Sequence, residues 1–204
     1  MATNFKISDN GINFITEFEG LMTKAYRCAA SVLTIGIGET DIFALNGEKI
    51  HEGMEITEQE AKDSFRIAIK DYENAVNKLD IVRNQNQFDA LVSFCYNLGP
   101  NIFKGDLLKA LKSRDNKEIT KQIKLYNKAK VKGKLTELKG LTRRREAEAE
   151  LFCTTNEYLE ALDFLMERKI ILQPEMWQNP NKNINHLITK VAKYIKSKED
   201  EYGE

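Results

Sequence analysis

Three polar side chains near the start of the chain are spaced as if to share one cleft: Glu19, Cys28 and Thr34. Glu19 closes an apolar helical run (Ile12, Ile15, Phe18), and Thr34 opens an extended segment punctuated by Gly36 and Gly38. Eight residues separate the first pair and five the second, the spacing with which a helix end followed by a β-hairpin folds its polar groups back onto one another. A carboxylate at the C-terminal end of a helix opposes the helix dipole, the electrostatic setting that a proton donor needs. A thiol is neutral near pH 7 unless its ordinary value of about 8.5 is lowered, so Cys28 can direct a water by hydrogen bonding or act as a thiolate in an electropositive site. The Thr34 hydroxyl can orient the same water. The plain alternatives are a solvated glutamate, a thiol serving as a small half-buried apolar residue, and a threonine chosen for β propensity.

The order Glu19-Gly20, Tyr26, Cys28, then Thr34-Ile35-Gly36-Ile37-Gly38 resembles the phage-type lysozymes, glycoside hydrolase family 24. Gln87 to Phe94 with Asn97-Leu98-Gly99 resembles that family's central helix, and Gly140-Leu141 with Arg144, Arg145, Glu148 and Leu151-Phe152 resembles its closing segment. Three motifs in order, over about residues 8–153, are far more specific than any one alone. The resemblance implies a muramidase that hydrolyses the β-1,4 bond between N-acetylmuramic acid and N-acetylglucosamine in peptidoglycan, as an endolysin. It implies catalytic roles for Glu19, Cys28 and Thr34, sugar contacts from Gly38, Asn97 and Tyr126, and support from Gly36 and Arg144. Two departures stand out: Cys28 replaces the usual aspartate, and Glu39 stands where the family commonly has histidine, placing a second carboxylate near the cleft. Two other readings follow from them. In one, Glu19 works alone as a lytic transglycosylase; in the other, the fold is a wall-binding or regulatory protein without turnover.

With 204 residues, 42% hydrophobic and 30% charged, the chain suits one well-filled core plus a small appendage. No stretch reads as a signal peptide or a membrane span, so the expected place of accumulation is the cytoplasm of the producing cell, with a separate pore opening the way to the wall. Cys28, Cys95 and Cys153 are odd in number and widely spaced, hence reduced thiols rather than a disulfide framework; Cys95 and Cys153 read as small buried hydrophobes. His51 and His186 stand far apart without a metal-binding pattern, so neither metal nor cofactor is expected. The zero net charge is uneven. Residues 1–103 carry nine basic and fifteen acidic side chains, net −6, whereas residues 104–145 carry fifteen and four, net +11. A basic lobe suits an anionic partner: peptidoglycan and anionic wall polymers rather than nucleic acid, for which no motif is present. A monomer that does not bind membrane is expected.

The fold expected is α+β and mainly helical. Ser8 caps a helix through about Phe18, and residues 24–47 form a small antiparallel sheet with a turn at Asn46-Gly47. A capping box at Thr57/Glu60 opens a long linking helix through Phe65, Ile69, Tyr72 and Val76. Asn84 or Asn86 caps a core helix that Gly99-Pro100 stops. Short helices follow near 106–111 and 117–126, then a basic loop or ragged hairpin over 128–139, then a helix from Thr142 to Phe152. Residues 1–153 form the catalytic domain. Residues 154–204 carry two apolar stripes, a helical hairpin that docks through Trp177 or binds the wall.

Overall fold

The computed structural model describes residues 4–28, 31–82, 84–154, 165, 170 and 188–197. The chain divides into two compact units, Met1–Thr154 and Thr155–Glu204. The first begins with helix α1, Asp9–Glu19. Ser8 caps it by accepting from Gly11 N–H, and Ser8 is itself held by Asp89, which accepts from its backbone N–H at 3.1 Å and from its hydroxyl. Gly20, at φ 81°, stops the helix and returns its N–H to Thr16 O, so Glu19 is the last helical residue.

Strand β1 (Met22–Arg27) then pairs antiparallel with β2 (Leu33–Gly36), and β2 pairs with β3 (Glu39–Thr40). The register sets Tyr26 opposite Thr34 and Ile35 opposite Glu39, with an irregularity between Met22 and Tyr26. A second hairpin, β4 (Ile42–Phe43) and β5 (Glu48–Lys49), turns at the expected Asn46-Gly47. Ile35, Phe43, Ile50 and Met54 bury together as the small core of this sheet region.

The capping box at Thr57 and Glu60 is fully formed and opens α2, Glu58–Ala68. The long helical run does not continue without a break: α3 (Lys70–Asn77) starts after Ile69. Ile69 N–H still donates to Phe65 O, but Ile69 O accepts from both Tyr72 and Glu73. One tighter i,i+3 bond therefore marks the junction between the two helices.

Helix α4, Gln85–Leu98, is capped by Asn84 and ended by Gly99 at φ 93°. Every residue from Gln87 to Cys95 is buried, so the apolar face expected there is one side of a helix enclosed all round. Helices α5 (Gly105–Ser113) and α6 (Asn116–Lys124) follow. The basic segment after them is a regular hairpin, β6 (Lys128–Val131) with β7 (Lys134–Glu137), closed by Lys132 and Gly133 at φ 48° and 81°, a two-residue turn of the kind that matches strand twist. Helix α7 runs from Lys139 to Cys153 and so begins a turn before Thr142; its first turn has no side-chain cap. Phe152 is buried and Cys153 is exposed. Cys153 is thus not the buried hydrophobe expected, because one residue is a 100° step around a helix and Phe152 takes the core side. Cys95 is buried as expected, and burial pushes its thiol up to about 12.

Of the second unit, residues 188–197 are helical with Ile188 and Ala192 buried. Trp177 lies outside the described residues.

Candidate active site

Glu19, at the end of α1, is about a quarter exposed, and its Oε1 lies 2.5 Å from Arg144 Nη1. The guanidinium comes from α7 and is itself buried. Arg144 Nε donates to Glu148 Oε1 at 3.1 Å, and Glu148 Oε1 also accepts from Ser93 Oγ at 2.8 Å and from Arg145 Nη2 at 3.1 Å. Arg145 Nε lies 2.9 Å from Glu148 Oε2, an ion pair without hydrogen-bond alignment. Arg145 Nη2 also donates to Asn97 Oδ1 at 3.0 Å. Three buried charges therefore stand behind one half-open carboxylate. Burial pushes Glu148 upward from the ordinary carboxylate range while both guanidiniums pull it back, and burial lowers Arg145 against the opposing charge of Glu148.

Glu19 faces a cleft of about 660 Å³ whose walls are Phe18, Glu19, Asn97, Leu138 to Leu141, Arg143 and Arg144. Phe18 packs beneath the Arg143 and Arg144 guanidiniums, 5.4 and 5.2 Å from its ring centre, a cation–π contact with each. Of the residues singled out from sequence, Glu19, Asn97 and Arg144 share this cleft. Cys28, Thr34, Gly38 and Tyr126 are not among the residues that line it.

Cys28 follows β1, and its backbone N–H and C=O bond Val32 O and Ser31 N–H, so main-chain bonds fix the backbone of this residue at the start of the β1–β2 turn. Thr34 is buried on β2, and its hydroxyl donates to Val32 O at 3.1 Å. With that proton committed, the oxygen faces any neighbour as an acceptor. Gly36 and Gly38 have φ of 63° and 86°, the left-handed region that glycine enters without cost. A Cβ on Gly38 would lie 3.4 Å from the Tyr96 hydroxyl, which donates to Ile37 O at 3.1 Å. Tyr96 of α4 thus ties the glycine turn to the helical core. Burial first, then the Glu19 charge, raises its phenol. Tyr126 stands edge-on to Phe94 with ring centres 5.2 Å apart and packs against the helical core.

Glu39 turns inward. Its Oε1 accepts from Ser64 Oγ at 2.7 Å and from Ala44 N–H at 3.0 Å, tying β3 to α2 and to β4. His51 is exposed, between Glu48 and the Glu52 carbonyl, which hold its imidazole above the usual value. Among the described residues no cluster of His, Cys, Asp or Glu could hold a metal ion, and no helix is long and apolar enough to cross a membrane.

The phage lysozyme family pattern matches residues 16–148, the span that contains Glu19, the sheet and most of α7. The chain belongs to the phage lysozyme family. It is 36% identical over 148 residues to the endolysin of Acyrthosiphon pisum secondary endosymbiont phage 1, covering 72% of this chain and 97% of that one. It is 37% identical over 152 residues to the endolysin of Bacillus phage B103, of whose length it spans 54%. Among solved structures it resembles the muramidase domain of SpmX from Asticaccaulis excentricus, with a TM-score of 0.63 at 34% identity over 74% of this chain and 99% of that one. The sequence motifs reached this phage lysozyme family and the mainly helical α+β fold. They did not reach Ser93, Tyr96 or the Leu138 to Leu141 wall, whose only signal was membership in apolar or motif stretches.

Proposed function

We infer that this phage lysozyme acts as an endolysin that hydrolyses bacterial peptidoglycan between N-acetylmuramic acid and N-acetylglucosamine, with Glu19 as proton donor. The observation that carries the assignment is Glu19 itself: the last residue of α1, on the wall of an open cleft, gripped by Arg144 in a chain of this family. As the glycosidic C–O bond breaks, the leaving oxygen takes the proton of Glu19, and the oxygen of a water joins the anomeric carbon. The water gives its surplus proton to solvent, and Glu19 is reprotonated for the next cycle. Cys28 and Thr34 direct that water, the threonine by accepting its hydrogen bond because its own proton is held by Val32 O. Asn97 lines the cleft and offers its amide to the sugar. Gly38 lets the backbone approach the glycan, and Tyr126 supplies an apolar edge.

The basic run of residues 104–145 supports contact with anionic wall polymers. A monomer held in the cytoplasm until a separate pore admits it to the wall fits the same reading. Clearing of purified walls by wild type against Glu19→Gln tests the assignment. The expected loss is on the order of 10²- to 10⁴-fold, with reducing-end sugars among the wild-type products. Equal clearing by both proteins would refute it.

A further inference from the structure

Glu148 is fully buried and lies outside the cleft lining, yet both polar arms of the cleft converge on it. Arg144 runs from Glu148 to Glu19, and Arg145 runs from the same carboxylate to Asn97. Ser93 on α4 adds a third donor to Glu148 Oε1, and Arg144 Nη2 also approaches Ser93 O at 3.4 Å. We propose that Glu148, fixed by Ser93, is a positioning residue that holds the proton donor and the substrate-side amide in one register. This rests on the muramidase reading above.

The argument is one of charge and shape. Two buried guanidiniums converge on two carboxyl groups, those of Glu148 and Glu19. With Glu148 in place, Arg144 divides its donors between the two carboxylates, and Arg145 has one free to hold Asn97. An uncharged side chain at 148 removes the carboxyl group that both guanidiniums share. Arg145 is then drawn from Asn97, and Arg144 loses the bond that aims it. A buried polar network with one member missing is worse than none, because each remaining group is left partly unpaired in a low dielectric. Ser93 matters because α4 carries both Ser93 and Asn97. The clamp therefore joins α7 to the helix that bears the substrate contact.

Wild type, Glu148→Gln, Ser93→Ala and Asn97→Ala are compared by steady-state kinetics and calorimetric binding on soluble peptidoglycan oligomers, with thermal unfolding measured for each. Glu148→Gln is expected to lower kcat on the order of tenfold to a hundredfold and to raise KM severalfold. Ser93→Ala, which removes one hydroxyl, moves both parameters the same way by a few fold at a near-wild-type Tm. Asn97→Ala raises KM alone. A merely structural role would leave kcat and KM of folded protein unchanged and shift only Tm, and that result in Ser93→Ala overturns the proposal even if Glu148→Gln does not fold. A fall in kcat with KM intact in Ser93→Ala would also overturn it, since the two arms would then not be coupled. If wild-type protein releases no reducing sugar, the muramidase assignment fails, but the oligomer Kd still decides the coupling: weaker binding by Ser93→Ala supports it and unchanged binding sinks it.

Discussion

The sheet region and the helical core of residues 4–154 are fixed by different forces, and the proposed reaction draws on both. In the sheet, Cys28 and Thr34 are placed by main-chain bonds around a core of only four buried residues. Its ion pairs, Lys24 with Glu55 and Arg27 with Glu52, have every partner more than half exposed, so they add little. In the helical core, the Glu19 carboxyl group at the end of α1 is held by side chains, through buried Arg144 and, behind it, Arg145 and Glu148. Position by backbone is cheap to keep and tolerant of side-chain change. Position by buried charge is precise but fails at once when a member is lost. Substitutions on the two sides should accordingly part company: loss of the Cys28 side chain changes rate, and loss of a buried charge in the helical core changes rate and stability together.

The largest effect is expected at Arg144. Arg144→Met leaves Glu148 short of a cation in a site with almost no access to water, and breaking such a pair costs about 3–5 kcal/mol. Urea denaturation should show that loss, and wall clearing should fall alongside it through Glu19. A variant that clears walls poorly at wild-type stability would remove the contrast between the two regions. Next comes Cys28. On the proposed role of Cys28 in directing water, Cys28→Ala is expected to lose roughly tenfold in turbidity clearing at unchanged Tm. Cys28→Asp puts a carboxyl group in the thiol's place and should clear walls at least as fast as wild type. If Cys28→Ala equals wild type, the thiol is packing only.

What could be read in advance follows the same division. Ser8, Asn84, the Thr57/Glu60 box, Gly99 and the Asn46-Gly47 turn were legible because capping and turn chemistry lies within four residues. Glu19 and Arg144 were legible as motif members. The burial of Glu148 was not: Arg-Arg-Arg-Glu-Ala-Glu-Ala-Glu from Arg143 to Glu150 has the look of a solvated helix face. Only packing of α7 against Ser93 decides which charges go inside. Glu39 misled in the opposite direction, as a carboxylate near a catalytic motif whose hydrogen bonds instead brace β3 and β4. The sequence of β6–β7 fits either a loop or a hairpin because its strands are mostly exposed, with no alternating apolar face to mark them. Its turn puts Lys132 in a conformation usually left to Gly or Asn.

A smaller effect is expected where the two regions touch. Gly38→Ala forces φ 86° on an L side chain and brings a methyl to 3.4 Å from the Tyr96 hydroxyl. The cost should be about 1–2 kcal/mol, seen in urea denaturation, and the proposed approach of the glycan to the same turn predicts a raised KM. No change in either would show that the turn is free to relax away from α4.

The smallest effect is a pH dependence at the other end of α1. Asp89 is buried on α4, where it accepts from Ser8 N–H, the Ser8 hydroxyl and Gln85 Nε2. Burial raises its carboxyl, with a smaller push from the Glu73 charge, and the bonds from Ser8 and Gln85 oppose this without cancelling it. Glu73 accepts from Ile7 N–H, and Arg66 pairs with Asp9, so these are the other charged groups around the helix start. A carboxyl raised in the folded state binds protons more readily there than in the unfolded chain. Its contribution to stability is therefore full below the ordinary value of about 3.9 and is lost as pH rises through the raised folded value. Asp89→Asn keeps the shape and an acceptor for Ser8 N–H but cannot ionise. The stability of wild type relative to Asp89→Asn should thus decline from pH 3.5 to 7 in urea denaturation. A difference that stays flat across that range would mean that the Ser8 and Gln85 bonds fully offset the burial, and that the cap of α1 is as insensitive to pH as the main-chain-held sheet.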